Sequence, residues 1–201
     1  MEHLREVTTK AGEIIDFDTR FVENRHIAGE PVKTGRFERI DYTTEAYEDG
    51  ITYHKYCNVY LPWCYDPDDR ERRYNVMYYQ HGNTCDPELF TAEEPKKTLD
   101  RLFEAEGIEP CIMVFITYYF DVTKDVETRK TTGMVPAGDN NYGGPMKVNY
   151  HREVIDDIIP AVELKYNTYL TDASKEAIRA SRDHRGFSGY SRGAACTWYM
   201  L

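Results

Sequence analysis

Gly186-Phe187-Ser188-Gly189-Tyr190-Ser191-Arg192-Gly193-Ala194-Ala195 is the stretch that decides the fold class. Within it Gly189-x-Ser191-x-Gly193 has the spacing of a nucleophile elbow. The physics of that spacing is specific. A strand must reverse sharply into a helix with the serine at the apex, in a backbone conformation that side chains disfavour. Glycine two positions before and two after removes the Cβ atoms that would collide in the turn. The hydroxyl is then held out at the carboxyl end of a sheet, beside the N-terminus of the following helix, where negative charge is favoured. Alone, a five-residue pattern of this kind arises by chance in about one chain in fifteen of this length. Its context adds weight, because His184 to Tyr190 reads as a strand and Arg192 onward as a helix. Ser188 is no rival, since residue 190 is Tyr rather than Gly.

Moving outward, the chain alternates strand and helix signals. Phe37–Tyr47 and Ile51–Leu61 are rich in Tyr, Ile, Val and Thr, with Asp49-Gly50 between them as a hairpin turn. Tyr53, Cys57, Val59 and Leu61 share one parity, which predicts a half-buried strand. Tyr74–Gln80 reads as a central strand ending at the turn His81-Gly82-Asn83. Pro95–Glu106 carries Leu99, Leu102 and Phe103 at helical spacing, and Cys111–Thr117 is a second buried strand. Val154, Ile155, Ile158, Ile159 and Val162 follow a 3.6 period, with Pro160 expected to kink the helix or remove one of its hydrogen bonds. The pattern predicts an α/β fold with a mostly parallel sheet, helices on both faces and an N-terminal antiparallel hairpin at its edge. Residues 1–34 read as an N-terminal arm without assigned structure, and 35–201 as the domain.

Composition excludes several classes. Of 201 residues, 41% are apolar and 30% charged, enough for one buried core. The longest apolar run, Cys111 to Ile116, is far short of the roughly 20 residues that span a bilayer. Lys plus Arg is 25 against 35 Asp plus Glu, a formal charge of −10, which argues against nucleic-acid partners. Five cysteines without C-x-x-C spacing indicate neither a disulfide framework nor a zinc site. The N-terminus lacks a signal-peptide pattern, so a cytoplasmic location is expected. No metal or cofactor is implied. Asp139-x-Asn141 with Gly144 fails as a calcium loop, since Tyr150 stands where the twelfth-position Glu is needed.

A serine nucleophile needs an oxyanion hole. The turn after Tyr74–Gln80 lies where one amide donor belongs, and the residue after the serine supplies the other. The candidates are Asn83 or Gly82 together with Arg192. His81 is read as shaping the turn by hydrogen bonding. Tyr118, Tyr142 and Tyr190 are candidate aromatic contacts for a sugar or phenolic acid.

Several segments together resemble carbohydrate esterase family 1, in particular the feruloyl esterases of xylan-degrading systems. They are Asn58-Val59-Tyr60-Leu61-Pro62 through Asp66-Pro67, Tyr74 to Gly82, Glu153 to Tyr166 with Ile159-Pro160, Ile178 to Phe187 leading into the elbow, and Thr197-Trp198-Tyr199 after it. The resemblance implies an α/β-hydrolase fold and hydrolysis of small-molecule or polysaccharide esters through an acyl-enzyme. There are three departures. Arg192 stands where the family usually has Met, and Ser188 where glycine is common. The third concerns the triad, whose order in this fold is Ser, then Asp or Glu, then His. None of the ten residues after Ser191 is Asp, Glu or His. The last third of the fold is therefore expected to be missing, the chain by itself inactive, and a non-catalytic carbohydrate-binding remnant is the alternative reading.

Overall fold

The computed structural model describes residues 4–8, 14–18, 29–82, 85–104, 109–124, 126–127, 145–198 and 200. The chain divides into two compact units, Met1–Glu30 and Pro31–Leu201. In the first, β1 (Leu4–Thr8) pairs antiparallel with β2 (Ile14–Asp18), running from Leu4 opposite Asp18 to Thr8 opposite Ile14.

The second unit is built on one sheet. β3 (Arg36–Thr44) and β4 (Tyr53–Leu61) form the expected antiparallel hairpin, with Arg36 opposite Leu61 and Thr44 opposite Tyr53. Its connection is longer than a two-residue turn. Gly50 takes φ +75 and Glu48 φ +58. The Asp49 carboxylate clamps the loop by accepting the Ile51 amide at 3.0 Å and the Tyr53 hydroxyl at 2.6 Å. β5 (Val76–Gln80), β6 (Ile112–Ile116) and β7 (Arg185–Gly189) complete the order β3-β4-β6-β5-β7. β4 meets β6 antiparallel, while β5 lies parallel to both β6 and β7. The sheet is mixed, with its parallel half under the elbow and the hairpin at the opposite edge.

Helices cover both faces. α1 (Glu93–Glu104) packs Leu99 and Phe103 on Tyr60 and Phe115, with the Tyr60 and Phe103 rings stacked at 5.7 Å. Buried Asp100 ties this helix to the sheet by accepting the Tyr60 hydroxyl and the Gly35 amide, both at 2.7 Å. On the other face Val154, Ile158, Ile159 and Val162 pack against Val59, Val76, Tyr78, Ile112 and Val114. This two-sided cover corrects the half-buried reading of β4, because Tyr56, Asn58 and Tyr60 of the second parity are buried too. β4 is interior to the sheet, so α1 closes the face that solvent would otherwise hold.

The helix over the second face changes gauge along its length. α2 (Pro145–Arg152) runs into a π-helical turn, Glu153–Ile158, and then α3 (Ile159–Glu163). The Ile159 amide reaches back five residues to the Val154 carbonyl. Pro160 has no N–H, and its ring would strike the carbonyl four residues earlier in a regular helix. The wider turn accommodates it. α4 (Lys175–Ala180), N-capped by the Ser174 side chain on the Ala177 amide, leads through a 3₁₀ turn, Arg182–His184, into β7. α5 (Arg192–Trp198) follows the elbow. Among the described residues no helix is long and apolar enough to cross a membrane.

Candidate active site

Gly189 closes β7, and Ser191 stands between it and α5 with φ +56, one of two non-glycine residues in the left-handed region among those described. A β-carbon there crowds the backbone at roughly 1–2 kcal/mol, so the conformation persists only where its surroundings force it. Two glycines show what forces it. A Cβ on Gly189 would sit 2.6 Å from the Gly193 carbonyl carbon, and a Cβ on Gly193 would sit 2.2 Å from the Gln80 carbonyl oxygen. β7, the elbow and the end of β5 therefore touch backbone to backbone. The turn is tied by the Gly193 amide donating to the Tyr190 carbonyl at 2.9 Å and the Ala194 amide to the Ser191 carbonyl at 3.1 Å. Ser191 is exposed at the apex.

The turn after β5 lies alongside. A Cβ on Gly82 would meet the Tyr190 ring at 2.8 Å, so Gly82 and Tyr190 pack face to face. The Tyr190 hydroxyl bonds the Cys85 thiol, and burial together with that contact pushes its pKa up to about 12. His81 is buried and uses both ring nitrogens, Nδ1 on the Gly82 carbonyl at 2.8 Å and Nε2 on the Thr117 hydroxyl at 2.7 Å. It shapes the turn, as expected.

Tyr118 requires a correction. It is 2% exposed, wedged at 4.7 Å against the His81 ring, and its hydroxyl donates to the Gly82 carbonyl at 3.0 Å. A ring so enclosed has no open face to stack on a ligand. Burial, with neighbouring Tyr119, raises its pKa, and nearby Arg192 opposes that. The Arg192 guanidinium lies over this ring, 5.4 Å from its centroid. Of the residues singled out from sequence, Ser191, Gly189, Gly193, Arg192, Gly82, Tyr190 and Tyr118 thus gather at one end of the sheet. Asn83 and Tyr142 lie outside the described residues.

His184 is at the far, amino end of β7. Its ring stacks on Tyr169 at 3.4 Å and its Nδ1 bonds the Asn75 side chain at 2.9 Å. Among the described residues no group of three or more His, Cys, Asp or Glu side chains could hold a metal. Sequence reasoning missed Cys85 and Thr117. Neither belongs to a spacing pattern, and only the fold brings them to this turn.

The chain matches the putative esterase family over residues 54–196, a span that runs from β4 through the elbow. The chain belongs to that family. It is 32% identical over 171 residues to endo-1,4-beta-xylanase Y of Acetivibrio thermocellus, covering 84% of this chain and 13% of the relative. It superposes on a mutant of the feruloyl esterase module from Clostridium thermocellum, complexed with sinapinate, with TM-score 0.66 and 27% identity. The superposition covers 90% of this chain and 54% of that one. A CE1 ferulic acid esterase from Anaeromyces mucronatus, at 19% identity and TM-score 0.61, shares the fold. The fold is that of the α/β-hydrolase esterases, and the chain spans about half the length of the solved structures it matches.

Proposed function

We propose that this chain carries the nucleophile half of a serine esterase acting on hydroxycinnamate esters of plant cell-wall polysaccharide. The observation that carries the reading is the φ of +56 at Ser191, enforced by Gly189 and Gly193 against the Gln80 carbonyl. In the proposed reaction the Ser191 hydroxyl adds to the ester carbonyl. The amides of Arg192 and of Asn83 or Gly82 hold the oxyanion that forms. The alcohol leaves with a proton, an acyl-enzyme remains, and water releases the acid. A serine hydroxyl is a weak nucleophile at neutral pH without a base. A histidine oriented by a carboxylate must reach Ser191, and His184 is at the wrong end of the strand to be that base. The 201 residues alone are therefore proposed to have little activity. Sinapinate in the 27%-identical structure and the xylanase relative support the substrate class.

The test is hydrolysis of methyl ferulate by this chain and by a form extended through any coding sequence that follows it. An active extended form, a nearly inactive short one and loss of activity on Ser191→Ala are expected. Full activity in an extended Ser191→Ala protein would overturn the serine assignment, and a ferulate-binding but inactive extended form would favour the non-catalytic reading.

A further inference from the structure

Three donors converge on one backbone oxygen beside the elbow. The Gly82 carbonyl accepts His81 Nδ1–H at 2.8 Å, the Tyr118 hydroxyl at 3.0 Å and the Cys85 amide at 3.2 Å. A carbonyl has two lone pairs, so this one is saturated. The His81 tautomer follows from its partners. The Gly82 oxygen can only accept, so Nδ1 carries the proton, while Nε2 shares a hydrogen bond with the Thr117 hydroxyl. Thr117 is itself anchored. Its carbonyl accepts Lys55 Nζ at 3.1 Å, and Lys55 pairs with Glu153 at 2.6 Å, both side chains 0% exposed. Glu153 also accepts the hydroxyls of Tyr42, at 2.6 Å, and Tyr47. A buried polar chain thus runs from the π-helical turn, through β4 and the end of β6, to the turn after β5.

A trans peptide is planar, with its C=O and N–H pointing in opposite directions. Holding the Gly82 carbonyl therefore fixes the plane of its own peptide unit, in the turn proposed to carry an oxyanion donor. An oxyanion donor is effective to the extent that it is aimed before charge develops. We infer that Tyr118 and His81 are positioning residues for ester hydrolysis, which clamp the Gly82 carbonyl and through it hold the turn proposed to carry an oxyanion donor. Thr117, whose carbonyl Lys55 holds, bonds the other ring nitrogen and keeps the His81 ring in place. Tyr118 also touches the other side of the site, since the Arg192 guanidinium lies over its ring. The inference rests on the serine esterase reading above.

Tyr118→Phe, His81→Leu and His81→Asn, with Ser191→Ala as reference, test it in whichever form hydrolyses methyl ferulate. Removing an oxyanion donor outright lowers kcat about 100- to 1000-fold, so misaiming one should lower it less. Tyr118→Phe is expected to lower kcat about tenfold and His81→Leu about a hundredfold, with KM within about twofold. His81→Asn, which keeps an N–H donor near Nδ1, is expected to recover most of the loss. Hydrogen exchange on the 201-residue chain supplies a second readout, independent of turnover. Amides 82–85 should exchange faster in Tyr118→Phe and His81→Leu, while β5 and β7 keep their protection. If His81→Leu fails to fold, Tyr118→Phe still decides, because its ring keeps the packing. Unchanged exchange at 82–85, or wild-type kcat in both variants beside an inactive Ser191→Ala, overturns the clamp and leaves the serine reading standing. Loss confined to KM, or equal loss in His81→Asn and His81→Leu, also overturns it. Full activity in Ser191→Ala overturns both.

Discussion

The two ends of β5 and β7 are built on opposite terms. At the amino end buried charge is held in a network of paired side chains. Arg185 forks onto the Glu163 carboxylate, with Nη2 to Oε2 at 2.7 Å, and its remaining donors reach the Ile178 carbonyl and the Ser181 hydroxyl. Tyr78 adds its hydroxyl to Glu163 at 2.9 Å. At the carboxyl end Ser191 is held in the left-handed region, exposed, between two backbone contacts that tolerate no Cβ. Strain of this kind survives only where surrounding structure over-determines it. The same two strands therefore hold firm at one end and carry a strained, reactive-looking serine at the other.

The largest way to break that contrast is at the firm end. Glu163→Gln leaves the Arg185 guanidinium, 5% exposed, without its charge partner. Removing one member of a buried ion pair costs about 3–5 kcal/mol. The denaturant midpoint should fall accordingly with m unchanged. Replacing both partners together, Glu163→Leu with Arg185→Met, should cost much less, since no buried charge is stranded. A single-variant loss below about 1 kcal/mol would mean that the amino end is not the anchor.

Next in size is Gly193→Ala. Its Cβ would lie 2.2 Å from a backbone oxygen that cannot swing aside, so β5 and α5 must separate. Overpacking of this kind costs about 1–3 kcal/mol, and ester hydrolysis should fall at least 100-fold as the elbow opens. Gly82→Ala is the matched control. Its nearest contacts are all in the Tyr190 ring, a side chain able to move, so stability should change by less. An equal loss of unfolding free energy in the two variants would show that the backbone contact is not what shapes the elbow.

The two ends also differ in how far they could be read from sequence. The elbow was legible because its geometry admits only glycine at two fixed positions, and such a demand leaves a spacing. The β3–β4 hairpin and the order of strands and helices were legible because period and turn chemistry are local. Burial of charge was not. Lys55 shares the parity of Tyr53, Cys57, Val59 and Leu61, yet its residue type argues for solvent, since Lys is almost never fully buried unless paired. Only the arrival of Glu153, 98 positions later, makes its burial tenable. Tyr118 reads as a surface aromatic for the same reason, because nothing local announces that Gly82 and His81 enclose it. Arg185 and Glu163 likewise meet only through the fold. Their pairing is what a strand parity or a helix face cannot express.

A smaller effect, of opposite sign, isolates the strain itself. Glycine enters the left-handed region without the Cβ clash, so Ser191→Gly should stabilise the chain by about 1 kcal/mol after the entropy lost on folding is counted. Ser191→Ala keeps the Cβ and should leave the melting temperature within about a degree. Both remove the hydroxyl, so both should abolish hydrolysis. A Ser191→Gly protein no more stable than Ser191→Ala would mean that the serine backbone is not strained, and that the two ends of the sheet do not differ in the way argued.

The smallest effect is the background against which that comparison must be read. Glu38 on β3 belongs to neither the Arg185–Glu163 pair nor the elbow. Partial burial raises its pKa, but the Tyr166 hydroxyl, Lys165 and Arg36 outweigh that and hold the carboxyl below its ordinary value. A carboxyl with a lowered folded pKa favours the folded state above its unfolded pKa near 4.5, and that contribution fades as pH falls through the folded value. Lys165 and Arg36 are about half exposed, so solvent screening limits the contribution to about 0.2–1 kcal/mol. Urea midpoints of wild type and Glu38→Gln should differ near pH 7 and converge near pH 3, and salt should shrink the gap. A gap that persists at low pH would assign it to lost hydrogen bonds rather than charge. The Ser191→Gly gain, which titrates no group, should instead be the same at both pH values, and that independence separates backbone strain from electrostatics.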